Sequence, residues 1–254
     1  AREAGDTDTQ HRYAAKASAL REAFEEAFWL PDRGYYAIGL DADKRPIDAL
    51  ASNMGHCLWA GIVSRERAPL VARSLLSDEL FSGWGVRTLA SSMASYNPVS
   101  YHCGSVWPHD NALIASGLMR YGFVDGAHRI IEAMMAAADA SSGRLPELFS
   151  GVSRDDVGVP VSYPTSCSPQ AWAAASPLLF LRLLLRFDPQ VRRGRLWCSP
   201  ALPAGMERLA VEGIPLAGRR VSVHVDRSGW RIDGLDGALE IIDRPREPLT
   251  GEAP

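Results

Sequence analysis

The N-terminal part of the chain carries the pattern of an amphipathic helix. Between Arg12 and Trp29, apolar side chains recur at spacings of three and four residues, with Glu and Arg between them. This period places the apolar side chains on one face of an α-helix. The sequence therefore predicts a helix over residues 12–29, and residues 1–11 are predicted to be disordered or a linker.

Five further segments have a helical pattern, and they follow one another in pairs. They cover residues 48–63 or 52–63, 68–80, 108–122, 125–140 and 168–187. Pro177 should kink or divide the last of them, because proline lacks a backbone N–H and clashes with the preceding turn. Short connections within pairs alternate with long links between pairs. The sequence contains no fixed-period repeat of the kind that would indicate a solenoid. We expect a toroid of inner and outer helices.

The C-terminal part changes to a strand pattern. Beyond Pro189 short β-branched runs alternate with polar residues, and residues 33–48 similarly suit a short hairpin. The predicted fold is therefore mainly α, part of an (α/α)6 toroid built of helical hairpins, followed by a small antiparallel β subdomain. The predicted divisions are 12–189 for the helical part, 190–245 for the β subdomain and 246–254 for a tail.

Composition and charge describe an ordinary globular chain. Of the 254 residues, 46% are hydrophobic and 22% are charged, and the formal net charge is -3, which excludes general disorder. The charge balance offers no basic stripe for nucleic acid or for a membrane surface, and it favours a neutral substrate or none. The longest apolar run is too short to span a bilayer. Four scattered cysteines, without CxxC spacing, fit reduced thiols in a cytoplasmic protein.

The segment YHCGSVWPHDN, from Tyr101 to Asn111, has the composition of a sugar-binding loop. Aromatic and imidazole rings cover the apolar face of a pyranose, while Asp, Asn and His bind its hydroxyls. Two alternatives are that Asp110 and Asn111 bond backbone N–H groups at a helix start and that Trp107 belongs to the core. A metal site or a thiol nucleophile at Cys103 is disfavoured, because the paired spacing and an orienting group are missing.

Two other stretches of the links carry candidate residues. Glu147 lies between apolar residues in GRLPELFSG, and apolar surroundings would raise the pKa of its carboxyl toward the range useful for acid–base chemistry. The alternative is a surface glutamate between buried neighbours. In FSGWGVRTL, Trp84 and Arg87 are candidates to contact a ligand, although Arg87 could equally bridge loops.

Five segments in order resemble the C-terminal half of bacterial glycogen-debranching amylo-α-1,6-glucosidase-like proteins, which are six-hairpin toroid glycosidases. These segments are SNMGHCLWAGIV, FSGWGVRTLA, YHCGSVWPHDNALIA, LPELFSG and CSPQAWAAAS. The resemblance covers most of residues 12–188, and the β region beginning LWCSPALPAGMERL resembles the small β appendage of the same group.

The resemblance implies hydrolysis of α-glucosidic linkages, most of all the α-1,6 branch points of glycogen-like glucans, with inversion. Inversion uses two carboxylates about 6.5 to 9.5 Å apart, with a water held by the base, and needs no cofactor. Glu147 matches the general base of the family. The implied substrate contacts are Trp84, Arg87, His102, Trp107, His109, Asp110, Asn111, Gln170 and Trp172.

The chain departs from the family in two ways. The general acid of the family is an Asp in a WGRD- or FGRD-type motif, and this chain contains no such motif. It also has about half of the helices of a closed toroid. We therefore expect a C-terminal part of a larger enzyme, inactive alone, with the acid in a missing N-terminal half. Alternatives are Asp110 as the acid, a noncatalytic carbohydrate- or protein-binding module, or a toroid enzyme acting on α-mannosides, trehalose or glucosylglycerate.

Overall fold

A computed structural model describes Ala1 and residues 4–246, and its contacts divide the chain into two compact units. The first, called the helical unit, comprises residues 14–177. The second, called the β unit, comprises the described residues among 1–13 together with residues 178–246. Apart from Arg246, the predicted tail lies outside the described residues.

Each of the six predicted helical segments contains a helix. The helices are α1 Thr7–Phe28, α2 Met54–Ala60, α3 Ala68–Leu75, α4 Pro108–Arg120, α5 Val124–Ala140 and α6 Ala171–Leu185. This agrees with helical hairpins, while closure into a toroid stays a prediction. Helix α1 begins at Thr7, so part of the stretch expected to be disordered is helical. The carboxylate of Asp6 accepts a hydrogen bond from the Thr9 N–H at 3.0 Å, a typical helix-capping contact.

Helices α2, α4 and α5 form the centre of the helical unit. Helix α4 packs against both of the others, and the apolar side chains between them are fully buried. Gly117 allows α4 to approach α2 closely, because a Cβ there would lie 2.7 Å from the backbone N of Trp59 and 2.9 Å from the carbonyl oxygen of Gly55. The spacing of these two helices therefore depends on a glycine.

Two small antiparallel sheets follow α1. Strands β1 (Trp29–Leu30) and β2 (Tyr35–Tyr36) form the first, and β3 (Gly39–Leu40) and β4 (Pro46–Ile47) form the second. The single hairpin expected over residues 33–48 is thus β3–β4, while β2 pairs with a strand before that range.

The long links between helices are held together by single backbone pairs. Val106 and Phe149 exchange two hydrogen bonds, of 2.9 and 3.0 Å, and Phe149 also pairs with Ser162. Arg87 pairs with Val106 on the other side. Because buried backbone groups need partners, these pairs let the α3–α4 link and the α5–α6 link cross the interior of the helical unit.

Asn111 fixes the first turn of α4 against one of these links. Its Oδ1 accepts from the Val86 N–H at 2.7 Å, and its Nδ2 donates to the carbonyls of Val86 and Trp107 at 3.0 Å each. The residue is completely buried. The side chain therefore replaces a backbone partner for Val86.

The β unit contains two three-stranded sheets. Strands β7 (Leu209–Leu216), β8 (Arg219–Asp226) and β9 (Gly229–Asp233) form an antiparallel meander, whose buried face includes Val221 and Val223. The second sheet contains β5 (Asp188–Gln190), β6 (Arg195–Trp197) and β10 (Glu240–Ile242).

One pair in the second sheet is parallel, so the prediction of a purely antiparallel subdomain is wrong in this detail. Strand β10 runs parallel to β6, whereas β5 runs antiparallel to it. Parallel neighbours need a long crossover connection, and the meander β7–β9 lies within that connection.

Replacing Gly117 by alanine should destabilise the helical unit. The added methyl group would meet backbone atoms that cannot rotate away, so we expect a loss of about 1–3 kcal/mol in the free energy of unfolding. Urea denaturation followed by circular dichroism measures it. Gly158→Ala is the matched control, because a Cβ at Gly158 meets no atom within 4 Å. Equal stability of the two variants would contradict the close-packing argument.

Asn111→Ala should cost about 3 kcal/mol in the free energy of unfolding, since it leaves the buried N–H and C=O of Val86 without their side-chain partner. The same denaturation measurement applies. Asn53→Ala serves as a control, because Asn53 is exposed and its side chain makes no capping hydrogen bond. A change below about 0.5 kcal/mol in Asn111→Ala, the size usual for surface substitutions, would show that the amide does not hold the link.

Candidate active site

Glu147 is a buried carboxylate surrounded by hydrogen-bond donors. It lies in the link after α5, two residues before the paired Phe149, and only 6% of its surface is exposed. Its Oε1 accepts from the Tyr101 hydroxyl at 2.8 Å and from Gln170 Nε2 at 3.4 Å. Its Oε2 accepts from the backbone N–H of Cys167 at 3.1 Å. The alternative of a surface glutamate is therefore wrong.

These donors reverse the expected effect on the pKa of Glu147. The N–H of Cys167 and then the hydroxyl of Tyr101 lower this pKa below its usual range, and their combined effect exceeds the opposing effect of burial. The prediction that apolar surroundings raise it is wrong, because sequence neighbours do not reveal donors that lie 20 and 46 residues away. The same contact raises the pKa of Tyr101 to about 12, so Tyr101 stays a donor.

A cluster of rings adjoins Glu147. The ring of Tyr101 meets Trp107 edge-on, with 4.9 Å between the ring centroids, and His102 lies parallel to Trp107 at 5.8 Å. Trp172 stacks on His109 with 3.9 Å between the ring centroids. His102 and Trp172 are exposed, whereas Trp107 is buried and donates its indole N–H to Ser105 at 2.9 Å. The exposed rings offer apolar faces of the kind that sugars contact.

A second buried carboxylate lies at the start of α4. Asp110 Oδ1 is 2.7 Å from His56 Nε2, and this contact raises the pKa of His56 above its usual range. Burial lowers the pKa of His109, against the smaller effects of Asp110 and Glu147. Sequence reasoning missed His56, although it lies in the segment SNMGHCLWAGIV. Its partner is 54 residues away, and no local pattern indicates the contact.

Two predicted substrate contacts hold the protein together instead. Arg87 is buried and donates to the carbonyls of Gly151 at 2.7 Å and Asp78 at 3.0 Å, which fits the loop-bridging alternative. The carbonyl partners of Asn111 give it the same structural role. Another predicted substrate contact, Trp84, is also buried, and the guanidinium of Arg154 lies 4.3 Å from the centroid of its ring.

The structure thus brings most of the predicted residues together. Those that surround Glu147, directly or through ring contacts, are His102, Trp107, His109, Gln170 and Trp172, and Asp110 follows His109 in the chain. Across the described part of the chain, no group of three or more His, Cys, Asp or Glu side chains is placed to hold a metal ion. No helix within the described ranges is both long and apolar enough to cross a membrane.

The helical region matches a known family and known structures. The family model for the mannosylglycerate hydrolase MGH1-like glycoside hydrolase domain matches residues 1–150. A mannosylglycerate hydrolase from Rubrobacter radiotolerans is 30% identical over 128 residues, which are 48% of this chain and 29% of that protein. The chain thus spans less than a third of the length of that relative.

Solved structures agree on the fold. A GH63 mannosylglycerate hydrolase from Thermus thermophilus, in complex with Tris, superposes with a TM-score of 0.51 at 23% identity, covering 61% of this chain and 35% of that one. A protein described as a sialidase superposes with a TM-score of 0.75 at 14% identity, covering 93% and 23%. These comparisons favour a six-hairpin glycosidase fold and not specifically a glycogen-debranching one. Since the family model matches more than half of the chain, the chain belongs to the MGH1-like glycoside hydrolase family.

Proposed function

We propose that the protein containing this chain is an inverting glycoside hydrolase that acts on a small α-glycoside of the mannosylglycerate type, with Glu147 as its general base. The observation that carries the proposal is the ionised, donor-held carboxylate of Glu147 beside a cluster of aromatic and imidazole rings. Such a carboxylate can accept a proton from a water that attacks the anomeric carbon.

The hydrogen bonds of Glu147 suit this role. A carboxylate offers about four lone-pair positions, and Oε1 uses two of them for Tyr101 and Gln170. Oε2 accepts from the Cys167 N–H, and we expect its further lone-pair position to hold the water. The contacts on both oxygens also prevent rotation of the group, so the water would be held in one direction relative to the sugar.

An inverting reaction needs a second carboxyl group to protonate the leaving oxygen. We expect this general acid to come from the part of the full-length protein outside the 254 residues, where the related glycosidases carry their acidic motif. The names of the relatives favour mannosylglycerate as substrate, which carries a carboxylate and therefore differs from the neutral substrate expected from the charge balance. The α-1,6-glucan specificity suggested by the sequence has no support among them, and it becomes an outcome of a substrate comparison.

Replacing Glu147 by glutamine in the full-length protein should reduce hydrolysis about 10²–10⁴-fold, because the water loses its base. The measurement is sugar release from α-mannosylglycerate, α-glucosylglycerate, trehalose and isomaltose, with α-mannosylglycerate expected to be the best substrate. Glu132→Gln is a matched control on the exposed side of α5 and should keep full activity.

Three results would overturn this proposal. Inactivity of the wild-type protein on every substrate, combined with sugar binding, would favour the noncatalytic binding module. Preference for isomaltose would restore the debranching hypothesis. Full activity of Glu147→Gln would remove the base assignment.

Removing the hydroxyl of Tyr101 should change the acid side of the pH profile. The Tyr101 hydrogen bond lowers the pKa of Glu147, and Glu147 works only when deprotonated, so activity falls as the pH drops through that pKa. In Tyr101→Phe the pKa rises toward its usual value, and the acid limb of kcat/KM should move to higher pH. Tyr163→Phe should leave the limb in place, because the Tyr163 ring meets the ring of Tyr101 and, within the described residues, its hydroxyl is not among the donors to Glu147. An unmoved limb in Tyr101→Phe would contradict the assignment.

A further inference from the structure

Asp110 is a buried carboxylate with only one of its oxygens in use. The side chain is 9% exposed, and Oδ1 is held by His56 Nε2 at 2.7 Å. Within the described residues, Oδ2 is buried without any hydrogen-bond partner. Leaving a charged acceptor buried and unpaired is costly, so this oxygen calls for a donor that the chain itself does not supply.

The neighbouring residue repeats this feature. The Nδ1 atom of His109 is also buried and has no partner in the part of the chain that is described. The ring of His109 stacks on Trp172, which is 45% exposed. The negative charges of Asp110 and Glu147 both act to raise the pKa of His109, against the larger effect of burial. Two unpaired polar atoms therefore lie on consecutive residues in the first turn of α4, and one of these residues, His109, belongs to the ring cluster that contacts the proposed base.

We propose that the His56–Asp110 pair holds a hydroxyl group of the sugar through Asp110 Oδ2, so that Asp110 positions the substrate and does not supply the general acid. This inference rests on the proposed function. The chemistry required is a hydroxyl donor next to an apolar face, which is what a pyranose presents to a carboxylate beside an aromatic ring.

The pairing with His56 argues against the alternative role of Asp110 as acid. Asp110 raises the pKa of His56, which favours the imidazolium form. The Asp110 oxygen next to His56 then serves as a hydrogen-bond acceptor and is not placed to give a proton to a leaving group. A carboxylate fixed in this way is instead a strong acceptor for a sugar hydroxyl.

The test separates binding from proton donation with two probes on the full-length protein. Calorimetry measures the binding of intact α-mannosylglycerate to Glu147→Gln with and without Asp110→Asn. Hydrolysis of α-mannosyl fluoride, whose leaving group needs no proton, is measured with wild-type Glu147. We expect Asp110→Asn to weaken binding about 10- to 100-fold and to lower kcat/KM for the fluoride by a similar factor. Unchanged values for both probes would overturn the inference and favour Asp110 as the acid.

The β unit offers a matched control pair. His224 Nε2 lies 3.4 Å from Asp233 Oδ2 on neighbouring strands, and Asp233→Asn should leave both measurements within about twofold, as usual for an independent site. His56→Gln keeps the carboxylate of Asp110 but removes the imidazole that holds it, so this variant should also weaken binding. It keeps the test valid if Asp110→Asn proves too unstable to measure. Unchanged binding in His56→Gln would overturn the role of the pair.

Failure of the proposed function has a different signature. It would be shown by a wild-type protein that neither binds nor hydrolyses any probe, and the inference would fall with it. A wild-type protein that is active while Asp110→Asn binds normally would overturn the inference alone.

Discussion

The two hydrogen bonds between Val106 and Phe149 are the contact on which the site depends. They join two long links that contain few regular elements. Trp107 follows one partner directly, and Glu147 precedes the other by two residues, so this pair fixes the distance between ring and carboxylate. Asn111 secures the same region to the link at Val86. The helices therefore support the links, and a few backbone pairs hold the ring of Trp107 and the carboxylate of Glu147 in position.

The carboxylate of Glu147 shows how burial and ionisation are reconciled. Removal from water disfavours its charge, but a main-chain N–H and a phenol hydroxyl compensate for the lost hydration. The main-chain donor at Cys167 persists in every substitution except proline, which lacks a backbone N–H. At His56, the hydrogen bond to Asp110 likewise outweighs burial, which alone would lower the pKa of the imidazole.

Local patterns predicted what is local. The helices followed from their 3.6-residue period, and Glu147 and the loop from Tyr101 to Asn111 followed from residue types and the family resemblance. The roles of Arg87 and Asn111 did not, because a polar side chain in a link can bind a ligand or a carbonyl, and the choice depends on partners from other links. His56, the pKa of Glu147 and the parallel β6–β10 pair depended on distant partners in the same way.

The donors of Glu147 also link its ionisation to the order of folding. The Tyr101–Glu147 hydrogen bond closes a loop of 46 residues, and the Cys167 contact closes one of 20. Closing loops of this size costs chain entropy before any contact compensates for it. An intermediate with formed helices but open links would therefore hold Glu147 with an ordinary pKa. At a pH between the lowered and the ordinary pKa, proton release from this single carboxylate would accompany the locking of the links into their native arrangement.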